Sequence, residues 1–208
     1  MKNLRNLTLF LVVVIMLAAC SNSRIVPKSL YGNTITEFSG KNEAGQSVSE
    51  KELKGKVWLV DFIFTNCKTV CPPMTYNMSQ VADALEKEGV SSKDYGIISF
   101  SVDPKKDTPE KLKKYINQYN PPKGVWTAVT GYDEKFIRQF AEENFKTIVV
   151  PPTAQNDQAT HGTSFYLVDQ NGVIMKDYAG KDTGDKKFPK AEIVEDLKTM
   201  IKEGPYKK

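Results

Sequence analysis

Residues 57–74 read VWLVDFIFTNCKTVCPPM, and the order of residue types in that stretch decides the fold. Val57 to Phe64 is a short, nearly unbroken apolar run, the pattern of a strand covered on both faces. Asp61 interrupts it and is a candidate buried acid. Cys67 follows, and after Cys71 the pair Pro72-Pro73 opens a helical pattern that continues through Leu85 and stops at Gly89. Proline is accepted in a first helical turn because its missing N–H has no partner there to lose. The stretch is thus strand, loop and helix, with two cysteines in the connection. Met74 and Met78 follow at helical spacing and read as core rather than as thioether ligands.

Downstream, Tyr95 to Val102 (YGIISFSV) is a second buried strand. Thr108-Pro109-Glu110 supplies cap, proline and acid in the order of a helix start, and that helix runs to about Tyr119. Val125 to Val129 is a third, shorter strand, and Asp133 to Phe145 carries Phe136, Ile137, Phe140 and Ala141 at helical spacing. Residues 150–162 form a polar loop. Ser164 to Val168 and Val173 to Tyr178 are strands joined by Asn171-Gly172, a tight-hairpin signal, and an amphipathic helix covers Ala191 to Ile201. The order β-α-β-α-β-α-β-β-α demands a central sheet with helices on both faces. A β-α-β start with a closing hairpin and helix is the thioredoxin arrangement, an α/β fold with a mixed sheet. Residues 36–56 (TEFSGKNEAGQSVSEKELKGK) resemble the N-terminal extension of exported thioredoxin-like proteins.

The first 19 residues stand apart. Lys2 and Arg5 precede the apolar run Leu7 to Ala19, which is 13 residues long. A bilayer span takes about 20 residues, so this is the layout of an export signal. It ends Leu17-Ala18-Ala19-Cys20, which resembles the lipobox of bacterial lipoproteins. That resemblance implies lipidation of Cys20, cleavage before it, and a lipid anchor at the extracytoplasmic face of the cell membrane. Residues 20–35 then read as a flexible tether and 36–208 as one domain. Lys2 and Arg5 account for two of the four net positive charges, and elsewhere lysines and glutamates are interspersed. Nothing in that pattern points to nucleic acid.

Beyond Cys20 the chain has two cysteines, Cys67 and Cys71, and its single histidine is His161. The pair suits a disulfide, a metal, or both in alternation, and an exported disulfide persists. A helix N-terminus favours thiolates, which are both nucleophiles in disulfide exchange and soft ligands for copper(I) or zinc. Thioredoxins place two residues between their cysteines. Here Lys68, Thr69 and Val70 intervene, which sets both sulfurs on one helical face with room for an ion between them. A purely structural bridge would close a tiny loop and stabilise little. In thioredoxin folds the loop entering the next strand packs a proline on the cysteines. In this chain it reads ATHGTSF, so His161 is expected to face the sulfurs. Two thiolates and an imidazole suit copper in either oxidation state, and ligand type alone does not separate copper from zinc.

The segments DFIFTNCKTVCPPM and SFSVDPKKDTP, followed by one histidine before SFYLVDQNG, together resemble the Sco (SenC/PrrC) family. Its members are copper proteins needed for assembling cytochrome c oxidase. The resemblance runs over about residues 36–203. It implies copper bound by Cys67, Cys71 and His161, and action on the binuclear copper A centre of oxidase subunit II. Asp103 and Asp107 match an acidic pair of the family that docks a partner or shapes the site, although local turn chemistry accounts for both equally well. Two functions follow. One is a copper metallochaperone. The other is a thiol-disulfide oxidoreductase that reduces the cysteines of subunit II, with Cys67 and Cys71 as its redox pair and a thiol reductant as partner. Only the first needs His161. A peroxidase of this fold would set threonine and arginine around one cysteine, but the chain's arginines are Arg5, Arg24 and Arg138.

Overall fold

The computed structural model describes residues 25–207; the signal segment and Cys20 lie outside them. Strands β3 (Val57–Ile63), β4 (Tyr95–Ser101) and β5 (Trp126–Thr130) run parallel and adjacent. The helices between them are α1 (Cys71–Lys87) and α2 (Pro109–Asn117). β8 (Ser164–Val168) pairs antiparallel with β3, and β9 (Ile174–Ala179) antiparallel with β8. On the far edge, β1 (Ser39–Asn42) pairs with β5 and carries β2 (Ser47–Ser49). The seven-stranded sheet therefore has the order β2-β1-β5-β4-β3-β8-β9 and is mixed, as a thioredoxin-like fold with an added N-terminal hairpin requires.

Every residue of β3 and of β4 is buried, which is why both read as continuous apolar runs. Their two faces meet different partners. Phe62 and Phe100, opposite each other in register, pack on Phe145 and Phe140 of α3 (Glu134–Phe145). On the other face, the Thr75 hydroxyl of α1 shares a 2.8 Å hydrogen bond with Tyr115 of α2, and α1 packs against α4 (Lys190–Glu203). Met74 and Met78 are fully buried in this layer, as core residues.

Two parts of the chain depart from the sequence reading. The tether expected over 20–35 is docked from Lys28 onward. The amides of Lys28, Gly32 and Ile35 donate to carbonyls of Met175, Ile174 and Gly172 at 2.8–2.9 Å, and Tyr31 packs edge-on against Tyr166. The backbone of β9 and its turn offers acceptors there, so this segment behaves as part of the domain. Second, the polar loop 150–162 is bounded by a small hairpin. β6 (Val149–Val150) pairs with β7 (Thr160–His161), Val149 opposite His161. The chain reaches β6 through Lys146, whose left-handed backbone (φ 55°) ends α3. No described helix is long and apolar enough to cross a membrane.

Candidate metal centre

β3 delivers the chain to the site and α1 begins in it. Cys71 is the first residue of α1, and no side chain caps that helix; instead the Cys71 amide points at Cys67 Sγ, 3.3 Å away. A sulfur thus takes the position of a capping oxygen, and the helix N-terminus favours its negative charge. Neither cysteine is in a disulfide, and Cys71 is fully buried and Cys67 nearly so. The two sulfurs divide one proton unequally. A hydrogen bond from the Cys71 thiol holds Cys67 far below the ordinary cysteine range, with further bonds from the backbone N–H groups of Cys71 and Thr69. The same bond, then burial and the nearby charges of Cys67 and Asp61, pushes Cys71 far up. Cys67 is the thiolate and Cys71 keeps the proton.

His161 arrives on β7 from the opposite side. Its Nε2 lies 3.0 Å from Cys71 Sγ, and its Nδ1 lies 2.8 Å from the carbonyl oxygen of Gly162. A carbonyl only accepts, so Nδ1 carries a ring proton and Nε2 faces the sulfur. The ring packs edge-on against Phe64. The two sulfurs and one imidazole nitrogen all lie within 4.8 Å of one another. Metal–thiolate bonds of about 2.3 Å bring two sulfurs on one ion to at most about 4.6 Å. The three donors therefore fit a single soft ion with little movement.

A polar clasp joins the two sides. Asn66 donates to Asp157 Oδ2 at 3.1 Å, Lys68 pairs with the same carboxylate at 3.3 Å, and Gln158 bonds Lys68 N and Asn66 O at 3.3 and 3.2 Å. Reading the sequence missed Asn66, Lys68, Asp157 and Gln158, because nothing in a polar loop says which amides it will meet 90 residues away.

The remaining candidates fall around the site rather than in it. Asp107 is buried, accepts from the Thr65 amide and hydroxyl and from Ser101, and so fixes the loop two residues before Cys67. Burial holds its carboxyl above the ordinary range. Asp103 stays in its turn, its carbonyl accepting from Lys106 and Asp107, and is not grouped with the three donors. Asp61 lies beneath the sulfurs: Ser99 donates to its Oδ1 at 2.5 Å, Trp126 donates to Ser99, and Oδ2 has no partner. Burial raises its carboxyl to about 6.

With this geometry in place, comparison with known proteins identifies the lineage. A lipoprotein of the SCO1/SenC family from Bacillus anthracis has a crystal structure that superposes with a TM-score of 0.73 and 40% identity, covering 81% of this chain and 95% of that one. BsSco, described as carrying a disulfide switch and as a member of the Sco family of cytochrome c oxidase assembly proteins, gives 0.72 and 40%, covering 85% and 98%. Copper-bound ScoI from Bradyrhizobium japonicum gives 0.65 and 28%, covering 81% and 99%. The SCO1/SenC family model matches residues 28–202, nearly the whole of the folded domain. The chain belongs to the SCO1/SenC family.

Proposed function

We propose that this protein is a copper metallochaperone that holds one ion through Cys67, Cys71 and His161 and serves assembly of the copper A centre in subunit II of cytochrome c oxidase. The observation that carries this reading is the convergence of two sulfurs and one imidazole nitrogen within 4.8 Å. Its relatives support it: BsSco is described as belonging to a family of oxidase assembly proteins, and the Bradyrhizobium protein is seen with copper bound. Two thiolates and an imidazole are a donor set that copper accepts in both oxidation states. Cys71 keeps a proton on the atom that must bind, so loading displaces that proton. Cys20, lipidated, would anchor the domain to the extracytoplasmic face of the cell membrane, where a membrane-bound oxidase is assembled. There, anchoring raises the effective concentration of the site for its partner. The Bacillus anthracis relative is likewise a lipoprotein.

A second reading has its own observation. Cys67 is a thiolate with slight exposure, and Cys71 is a buried thiol beside it. This is the arrangement of an attacking and a resolving cysteine. Cys67 would attack a disulfide of subunit II and release one partner thiolate. Cys71 would then displace the second, leaving a partner dithiol and a Cys67–Cys71 disulfide that an external thiol reductant restores. The two readings share the sulfurs, so copper and the disulfide exclude each other. The reduced protein should bind one copper(II) with an intense sulfur-to-copper charge-transfer absorption, and the oxidised protein should bind none at that site. Equal uptake by both forms would refute the ligand set.

A further inference from the structure

His161 presents Nε2 to the sulfurs only while Nδ1 stays bonded to the Gly162 carbonyl. We infer that Gly162 and Thr147 form a positioning pair that fixes this tautomer. Gly162 does not adopt a left-handed φ, so a side chain is not barred there by backbone conformation. The bar is space. A Cβ at position 162 would overlap Thr147 Oγ1 and stand 3.3 Å from Thr147 Cβ.

Thr147 has little room to yield. It is buried, and beside it Tyr166 is buried against Phe62 and Phe145. Its amide donates to the Ala141 carbonyl at 3.3 Å, just past the left-handed end of α3. Rotating the β-branched side chain cannot move its Cβ, which stays 3.3 Å from the added carbon. An added carbon at 162 must therefore shift the end of β7, which carries the acceptor carbonyl away from Nδ1. The neutral ring then loses its reason to keep the proton on Nδ1. A ring protonated at Nε2 has no lone pair to offer beside Cys71.

The pair is a positioning device: neither residue is among the three donors, and both act through the imidazole. Its consequence for copper rests on the ligand role proposed for His161, but the tautomer does not. Because His161 is the only histidine, ring-nitrogen NMR of the full-length, reduced, metal-free protein in detergent reads the tautomer without assignment ambiguity. Spectra are recorded where the ring is neutral. The native protein should carry its proton on Nδ1. Gly162→Ala should move population to the Nε2–H form and weaken copper(II) binding at least about ten-fold, the scale of an outer partner's loss at a metal site. Adding Thr147→Ala to that variant clears the space and should restore both readouts, a rescue that general destabilisation would not give. A native spectrum of the Nε2–H form, or a Gly162→Ala spectrum unchanged from native, overturns the inference. Should Gly162→Ala fail to fold, the native spectrum and the double variant still decide, since an Nε2–H double variant also overturns it. A switched tautomer with unchanged copper affinity upholds the positioning pair and removes His161 from the proposed ligands.

Discussion

The two sides of the site are built to different standards. The cysteine side hangs between a fully buried strand of the sheet and the first turn of α1, and Asp107 bolts its loop to β4 through Thr65 and Ser101. The histidine side is a two-residue strand pairing, joined to the cysteine loop by bonds among exposed side chains. Strand burial fixes the first; the second buries His161 and Val149, but its link across to the cysteine loop is hydrogen bonds in contact with water, individually weak. The difference assigns work. The sulfur pair is preorganised whatever the imidazole does, so disulfide chemistry needs one side alone. With the proposed ligands, retaining an ion needs both, which would make the histidine hairpin the place where retention and release are set.

The sharpest way to break this comparison is His161→Ala. Loss of one ligand should weaken copper(II) binding by roughly 100-fold or more, since even outer-shell losses at metal sites reach that scale. Cys67 and Cys71 should still form their bridge on oxidation, and the fold should survive, because the ring packs at the edge of the core rather than within the sheet. Copper titration together with thiol counting checks both halves. Copper affinity that is unchanged would remove the hairpin from the site.

A second test concerns the cysteine side alone. Burial holds the Asp61 carboxyl at about 6, above its ordinary 3.8. Between those values the folded state binds a proton that the unfolded chain has released. Stability of the reduced, metal-free protein should therefore fall as pH rises from about 4 to 6, by up to about 3 kcal/mol. Asp61→Asn should flatten that slope in denaturant titrations at successive pH values, whatever its effect on absolute stability. A slope that persists in Asp61→Asn would place the titrating group elsewhere.

The smallest effect is expected from the clasp. Asp157→Ala removes an exposed carboxylate that holds Asn66 and Lys68. Copper should dissociate somewhat faster, with less change in the rate of disulfide formation. Added salt should narrow the gap between native and variant, because the interaction is open to solvent. A stopped-flow release assay at two salt concentrations separates these outcomes. Disulfide formation slowed as much as copper release is accelerated would show that the two sides are one rigid unit.

The stretch from Val57 to Met74 determined the strand, the loop and the helix start, because apolar continuity and proline position are local properties of a chain. The downstream pattern likewise placed β4, α2, α3, β8, β9 and α4 within a few residues, since each carries its own period and caps. The order of those elements specified the sheet, and the scarcity of cysteine and histidine named the three candidate donors. Tertiary structure alone decided the rest. It docked Lys28 to Ile35 on β9 and paired Val149 with His161. It set Gly162 against Thr147 and brought Asp157 to Lys68. These are contacts between residues far apart in sequence whose own local patterns permit many partners. A polar side chain records that it needs a hydrogen bond, but only the folded backbone determines which group is within reach.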